Sequence, residues 1–225
     1  MERKHKDIQR RRMMSYFIKA TDQVITEEGI EAVNIRKVAQ LAGYNSATLY
    51  RYFDDLDHLI YYAMMKYLVD YNMTLAQKQK ECKDAEERVY LVWEEFSRAA
   101  FANPVAYRYI FFSRHGVQDP GALQEYYEIF PDEFGTQDDV IIADMLKGGD
   151  IMTRNRLLLA PLVGEGKIRT EMLELVNSMM VHSMHAILRS KRIGIDQKTQ
   201  EESLNEMMSI VHYLVESEKK QVSME

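Results

Sequence analysis

The stretch at residues 34–53 reads NIRKVAQLAGYNSATLYRYF. Its pattern predicts two short helices on either side of Gly43, because glycine tolerates the positive φ of a tight turn. Asn34 and Asn45 immediately precede the two helices, where a side-chain oxygen accepts a hydrogen bond from a free backbone N–H. A short helix, a tight turn and a second short helix form a helix-turn-helix, whose second helix enters the major groove of DNA.

The side chains of this unit divide into an inward set and an outward set. Val38 and Ala39 fall where the first helix meets the core, and Leu49 and Phe53, four residues apart, point inward from the second. Short hydroxylated side chains suit contacts with base edges, and longer donors suit phosphates. Spacing alone favours equally a helical hairpin whose tyrosines cover the core. The outward residues of the second helix are Ser46, Ala47, Thr48, Tyr50, Arg51 and Tyr52.

The same residues resemble the DNA-binding signature of TetR-family transcriptional regulators. That signature reads, in words, Thr-x-Arg-x-Ile-Ala-x-x-Ala-Gly-Val-Ser-x-x-x-Leu-Tyr-x-Tyr-Phe. The match spans about twenty residues, ends in the distinctive Leu-Tyr-x-Tyr-Phe at 49–53, and lies close to the N-terminus. It covers about a fifth of the chain, and the remainder is compatible with the family but too variable to add to the match.

The resemblance implies a role for each matched position. It implies that Arg36 reaches a base or a phosphate, that the start of the second helix reads bases, and that its end contacts phosphates. Lys37 stands where the family often has an acidic residue, so this helix loses a capping bond and gains a cation near DNA. Basic residues in 3–6 and 10–12 are candidates for further phosphate or minor-groove contacts. The predicted DNA-binding residues are therefore Arg36, Lys37, Asn45, Ser46, Ala47, Thr48, Tyr50, Arg51 and Tyr52.

Two departures from the family pattern follow the signature. Leu56 stands where the family often has a lysine that contacts phosphate, and Asp54 and Asp55 make the same edge electronegative. We therefore expect DNA binding to depend on Arg51, Lys37 and the basic N-terminal segment.

Composition and charge agree with a local nucleic-acid site on a cytoplasmic protein. The 225 residues contain no apolar run of about 18, which argues against a membrane helix, and the first dozen are too charged for a secretory signal. The single cysteine, Cys82, suits a reducing compartment. Residues 1–53 hold ten basic and six acidic side chains, whereas the rest hold nineteen and twenty-nine. A basic N-terminal quarter on an acidic body favours a local polyanion site over general coating of nucleic acid.

The remainder of the chain also has helical periodicity. No β-branched alternation bounded by turns is found, so we predict an all-α fold. It has an N-terminal three-helix helix-turn-helix domain, residues 1–55, and a larger C-terminal helical bundle, 56–225, for effector binding and dimerisation. The predicted helices are 6–28, 35–41, 46–52, 56–80, 85–102, 104–114, 121–130, 138–147, 150–163, 168–192 and 197–217.

The last two helices carry apolar stripes that are candidates for a dimer face. One recognition helix buries too little DNA surface for tight specificity, and a two-fold dimer reads two half-sites. The resemblance implies that these helices pack against their mates as a four-helix bundle, although such stripes also suit the monomer's own core. The predicted interface residues are Met172, Val176, Met179, Met180, Ser183, Ile187, Leu204, Met208 and Val211.

Aromatic residues are concentrated in the middle of the chain. The resemblance implies a cavity there for an unidentified small-molecule effector, and nearby methionines would make it adaptable. Aromatic residues at helical spacing equally suit a solid core. The candidate ligand-binding residues are Trp93, Phe96, Tyr107, Phe111, His115, Tyr126 and Met152.

The leading hypothesis is a ligand-responsive regulator, expected to be a repressor, that binds double-stranded operator DNA as a homodimer. No hydrolase, zinc-protease or phosphate-loop motif is found, so we predict no catalytic residue, metal site or cofactor, and no membrane partner. His182 and His185, three apart on a helix, leave open an all-α metal-binding protein or enzyme. A third alternative is an interaction module that has lost DNA binding, which Leu56 and the acidic pair suggest.

Overall fold

The computed structural model describes residues 2–119, 121–192 and 197–222, and side chains from residue 5 onward, except that of residue 192. Within these ranges the chain forms helices and no strand, which confirms the all-α prediction. Short 3-10 turns lie between several of the helices. The helices are α1 Glu2–Glu28, α2 Ile35–Ala42, α3 Ser46–Leu49, α4 Leu56–Met64, α5 Val69–Lys78, α6 Ala85–Ala102, α7 Pro104–Phe112, α8 Arg114–Gln118, α9 Ala122–Ile129, α10 Val140–Lys147, α11 Ile151–Gly164, α12 Leu173–Arg192 and α13 Gln200–Val222.

Short polar side chains set where many of these helices begin. The carboxylates of Asp55, Asp84, Asp139 and Asp150 each accept a hydrogen bond from backbone N–H groups in the first turn of α4, α6, α10 and α11. These N–H groups have no partner within the helix, so the cap satisfies them. The local signals are the reason why α6, α10 and α11 lie within a few residues of their predicted bounds.

Two predicted helices are interrupted in the structure. The predicted helix 56–80 consists of α4, a 3-10 turn over Met65–Leu68, and α5. Tighter turns of this kind inside a helical run are common at bends. The predicted helix 104–114 ends at Phe112. Ser113 then caps the next helix, α8, because its hydroxyl accepts a hydrogen bond from the Gly116 N–H at 3.1 Å.

The N-terminal segment is helical earlier than predicted. Helix α1 begins at Glu2 rather than near residue 6, so the basic residues that precede the predicted start also belong to the helix. The side chains of Arg3 and Lys4, which were candidates for DNA contacts, lie outside the described residues.

One contiguous apolar core joins the N-terminal helices to the body. Phe17, Leu49 and Phe53 of the N-terminal unit are buried in this core. The α4 residues 59–62 and 64 are buried in the same core. In the body, a buried polar chain connects three helices: the Trp93 Nε1–H donates to Asn155 Oδ1, and the Asn155 side-chain amide donates to Asn177 Oδ1, both at 2.9 Å. Such bonds specify how α6, α11 and α12 pack, because an unsatisfied buried amide is costly. No described helix has the length and apolarity needed to cross a membrane.

Candidate nucleic-acid interface

The turn between α2 and α3 has the geometry expected from its sequence. Gly43 has φ 80° and ψ 24°. At the end of α2, the Gly43 N–H donates a hydrogen bond to the Gln40 carbonyl at 3.1 Å, and the Tyr44 N–H donates one to the Ala39 carbonyl at 2.9 Å. At this φ a side chain would be strained, so the position favours glycine. Asn45 Oδ1 accepts a hydrogen bond from the Thr48 N–H at 2.9 Å and caps α3.

Helix α3 is shorter than predicted and continues as a turn. Regular α-helix ends at Leu49, and the N–H groups of Arg51 and Tyr52 bond to carbonyls three residues back, at 3.2 and 3.0 Å. Leu49 and Phe53 are buried, which confirms their predicted inward orientation. The turn and the buried pair hold Tyr50 outward, with 55% of the residue exposed.

Two arginines near α3 are free to meet a polyanion. Arg36, in the first turn of α2, and Arg51, after α3, are exposed and form no ion pair with any described residue. The major groove of DNA admits an α-helix, and guanidinium groups beside such a helix can contact phosphates or guanine bases. Asn45 and Ala47 are also exposed, and Ser46 and Thr48 are half-buried.

Other predicted contact residues have partners within the protein. The Lys37 ammonium pairs with Glu28, so part of its charge is already neutralised. The Thr48 hydroxyl donates to Asn45 Oδ1 at 3.0 Å, which leaves it as an acceptor toward solvent. Tyr52 is half-buried, with its ring 6.4 Å from that of Phe17.

Side chains of α1 extend this surface next to Tyr44. Arg12 was among the predicted candidates, whereas sequence analysis missed Tyr16 and Tyr44. The Tyr44 and Tyr16 rings stack at 6.2 Å, and the Arg12 Nε–H donates to the Tyr16 hydroxyl at 2.9 Å. The four-residue spacing of Arg12 and Tyr16 places them on one helix face. That spacing was the available signal, but the approach of Tyr44 depends on how α2 packs on α1.

The neighbouring arginines of α1 are bound to the body instead. Arg10 pairs with Glu125 and Arg11 with Glu128, both on α9. Glu125 also accepts a hydrogen bond from the Tyr62 hydroxyl of α4 at 2.6 Å. These contacts form a first connection, the α1–α9 connection, between the N-terminal helices and the body. The predicted role of Arg10 and Arg11 at DNA would require this connection to open.

A second connection, at Asp55, joins the start of α4 to α8. The Asp55 carboxylate accepts hydrogen bonds from the His58 N–H at 2.7 Å and from Arg114 Nη2 at 2.6 Å, and lies 3.2 Å from His115 Nε2. Partial burial acts to raise the pKa of Asp55, but the His58 hydrogen bond and the charges of His115 and Arg114 outweigh it and hold this pKa below its usual value. Asp55 is therefore turned toward the body and its charge is compensated there.

The described histidines do not form a convergent metal site. Ligand atoms of Asp54, His58 and His115 lie within 4.8 Å of one another, but the two imidazoles stack in parallel at 4.6 Å, so their lone pairs do not aim at one point. His182 and His185, the pair that left a metal site open in the sequence analysis, have no third metal ligand near them among the described residues. His182 forms a hydrogen bond with Ser178, and the His185 ring stacks on that of Phe112.

The candidate ligand residues of the body separate into two groups. Trp93 and Phe96 line a small cavity of about 30 Å³, and the rings of Tyr107 and Phe111 lie 5.3 and 5.1 Å from that of Phe96. The remaining candidates lie elsewhere: His115 at the Asp55 connection, Tyr126 bonded to Glu133, and Met152 at the edge of the core. Sequence analysis missed Arg154, which lines the same cavity and is 3% exposed.

The predicted dimer residues mostly face the chain's own core. Met179 is 44% exposed, whereas Met172, Ser183 and Met208 are half-buried. The exposed apolar side chains of α12 include Leu175, which was not predicted and is 51% exposed. The exposed face therefore lies to one side of the predicted stripe. The reason is that α12 packs against both α11 and α7, so the interior stripe is already used within the monomer. The buried members of the predicted set are Val176, Met180, Ile187, Leu204 and Val211.

Comparison with known proteins identifies the N-terminal unit. The family model described as "Bacterial regulatory proteins, tetR family" matches residues 17–61, from the middle of α1 into α4. The resemblance predicted from residues 34–53 is thereby confirmed. Comparison with curated proteins gives no match.

Solved structures share the fold over nearly the whole chain. The fatty acid degradation regulator FadR from Bacillus halodurans has a TM-score of 0.51 and 14% identity, covering 88% of this chain and 93% of its own. A putative TetR-family transcriptional regulator from Mesorhizobium loti has a TM-score of 0.51 and 14% identity, covering 91% and 95%. RolR in complex with the ligand resorcinol has a TM-score of 0.51 and 16% identity, covering 92% and 93%. At these identities the likeness establishes the fold, a helix-turn-helix unit followed by a helical body.

Proposed function

We propose that this chain, whose helix-turn-helix unit is that of the TetR family, is a ligand-responsive transcriptional repressor that binds double-stranded operator DNA as a homodimer. The observation that carries the proposal is the outward surface formed by α3 and the turn after it, where Thr48 and exposed Tyr50 adjoin Arg51, which forms no ion pair with a described residue. We assign residues 1–55 to DNA binding and 56–225 to effector binding and dimerisation. A regulator of this kind acts where the operator is, in the cytoplasm.

Selection of bound sequences from random double-stranded DNA tests the proposal directly. We expect enrichment of a two-fold symmetric site whose half-sites are about one helical turn, or a multiple of it, apart. The half-site spacing follows from the distance between the two α3 helices of a dimer. Recovery of no preferred sequence at any salt concentration would contradict sequence-specific binding and favour an interaction module.

Arg51→Ala is expected to weaken binding to all DNA sequences alike. Its guanidinium pairs with no described residue, so in the complex it would neutralise a phosphate and release a counterion. The slope of log K against log salt should therefore fall by about one for each Arg51 that contacts a phosphate. Fluorescence anisotropy titrations at several salt concentrations measure this slope. Arg98→Ala, an exposed arginine on α6, serves as the control and should leave the slope unchanged.

The dimer face that we propose lies on the solvent side of α12 and α13. Leu175 and Met179 are one turn apart on α12, and Tyr213, on the adjoining α13, is 71% exposed. Exposed apolar side chains gathered on two packed helices mark an interaction surface. This proposal keeps the predicted location on the last two helices and the predicted residue Met179, and it adds Leu175 and Tyr213 in place of the buried members of the predicted set.

Replacement of Leu175 and Met179 together by glutamate should dissociate the dimer. Burial of the new carboxylates at the interface costs several kcal/mol, which corresponds to roughly a 100-fold weaker dimer or more. Sedimentation velocity measures the change in mass. Val140→Glu on α10 is the matched control, because Val140 is 71% exposed and lies away from these helices. A double variant that stays dimeric would place the interface elsewhere.

Effector response requires a route from the body to α3. The α1–α9 connection and the Asp55 connection both join the N-terminal helices to elements that border the aromatic middle of the chain. A change of position of α8 or α9 would therefore alter the placement of α3 relative to its mate. Coupling free energies between effector and DNA of about 1–3 kcal/mol are typical of such systems. RolR, which shares this fold, is described as a complex with the ligand resorcinol, and this supports a small-molecule effector.

A further inference from the structure

A buried arginine without a counter-ion lies in the body. Arg154, in the first turns of α11, is 3% exposed, and no carboxylate oxygen of any described residue lies within 4 Å of its guanidinium. Its Nη1 is buried and has no hydrogen-bond partner among the described residues. The closest compensation is the face of Phe111, whose centroid lies 4.8 Å from the guanidinium carbon.

This arrangement is unfavourable for the protein by itself. An isolated buried charge loses its hydration, and proteins ordinarily pair such a charge or hydrogen-bond it fully. An aromatic face offsets only part of that loss. The neighbouring Arg156 shows the usual solution, since it is exposed and pairs with Glu174 at 2.8 Å. Arg154 is thus suited to an anion that comes from outside the chain.

Two orphan hydroxyl groups lie in the same interior region. The hydroxyls of Tyr71 and Tyr107 are buried and have no hydrogen-bond partner among the described residues. Burial raises the pKa of both phenols, although the charge of Arg154 opposes this effect, so both remain protonated donors at neutral pH. Tyr71 also lines the cavity beside Arg154, together with the apolar side chains of Trp93, Phe96 and Met145.

We propose that Arg154 anchors a binding site for a small monocarboxylate with an apolar or aromatic body. The planar guanidinium matches a carboxylate in geometry and charge, and Tyr71 and Tyr107 supply neutral donors to its oxygens. One buried cation balances one negative charge, so a phosphate dianion would be left with an uncompensated charge. The apolar part of the ligand would pack on Trp93 and Phe96. That the bound carboxylate is the effector rests on the proposed regulatory function.

Binding would have to move the walls of the cavity. Its volume, about 30 Å³, corresponds to about one water molecule. A larger ligand must displace flexible side chains such as Met145 and press on Tyr71, which belongs to α5. Helix α5 follows α4 through the 3-10 turn at Met65–Leu68, so displacement of α5 is transmitted to the start of α4 and the Asp55 connection.

Thermal unfolding with charged and neutral probes tests the inference. Benzoate and octanoate are compared with benzamide and octanamide, which have similar shapes and no charge. At a concentration one hundred times its Kd, a carboxylate that binds should raise the Tm by roughly 5–10 °C. The amides should have little effect. Arg154→Met should abolish the response to carboxylates, and Arg156→Met, two residues away on the same helix, should retain it.

The free protein provides a second measurement. Because Arg154 forms no ion pair with a described residue, Arg154→Met should raise the Tm of the unliganded protein by about 2 °C or more, whereas removal of a merely structural arginine would lower it. Tyr107→Phe removes only the hydroxyl and should weaken carboxylate binding roughly 3- to 10-fold without lowering the unliganded Tm. This variant keeps the inference testable if Arg154→Met folds poorly.

The inference is overturned if neither carboxylate raises the wild-type Tm, if the amides act equally, or if Arg154→Met or Tyr107→Phe responds like the wild type. DNA binding by the same preparations, measured without probes, separates this outcome from failure of the proposed function. A protein that binds selected DNA but no carboxylate remains a regulator with another effector. A protein that binds carboxylates through Arg154 but selects no DNA would retain the site and lose the regulatory role.

Discussion

The double variant in which Thr48 and Tyr50 are both replaced by alanine is expected to bind its specific DNA site at least about 100-fold more weakly than the wild type. Fluorescence anisotropy with the DNA site obtained by selection measures this affinity. Thr48 lies on α3 and Tyr50 in the turn that follows it, and the Tyr50 residue is 55% exposed. Thr48 is expected to contact a base and Tyr50 a phosphate. A lost base contact typically costs about 1–3 kcal/mol, the lost phosphate contact adds to this cost, and a dimer would lose each contact twice. Non-specific binding should persist, because Arg36 and Arg51 remain.

The fold should survive this change, and a matched control tests that expectation. The Thr48 hydroxyl donates to the capping residue of α3 at 3.0 Å, and Thr153 makes the equivalent bond to Asp150, the cap of α11, at 2.9 Å. Thr153→Ala therefore removes the same local bond far from α3 and should leave DNA binding intact. Unchanged affinity of the Thr48 and Tyr50 variant for the selected site would remove α3 from the DNA interface.

Gly116→Ala is expected to lower the free energy of unfolding by about 3 kcal/mol or more. A Cβ atom at Gly116 would lie 2.2 Å from the carbonyl oxygen of Ile110, and because that oxygen belongs to the backbone of α7, no side-chain rotation relieves the clash. The adjacent His115 would shift with α8, which would weaken the contact with Asp55. Denaturant unfolding measures the stability.

Gly164→Ala is the control for this substitution. Gly164 ends α11 without a positive φ, and a Cβ atom there would meet no other atom within 4 Å. Alanine costs less conformational entropy than glycine in a helix, so stability should stay equal or rise by up to about 1 kcal/mol. If both variants have the same stability as the wild type, the close approach of α7 and α8 at Gly116 is not a constraint on the fold.

Local signals account for what could be predicted about the DNA-binding unit. Asn34, Gly43 and Asn45 act on their own neighbouring residues through caps and a left-handed turn, and such effects do not depend on the rest of the chain. The burial of Leu49 and Phe53 follows from their four-residue spacing. For this reason the helix-turn-helix, the family and the all-α class were all predictable from residues 34–53 and the helical periodicity.

The sequence by itself therefore determined the helical class, where helices such as α2, α3 and α6 begin, and which side chains around α3 face outward, because caps, turns and periodicity are short-range effects. Only the tertiary structure decided which polar groups are satisfied: Arg10 and Arg11 form ion pairs with α9, whereas Arg154 is buried and pairs with no described residue. It also decided which stripe of α12 faces the core and which faces solvent. Residues far apart in the chain meet only when helices pack, so their pairing depends on distances that no local pattern contains.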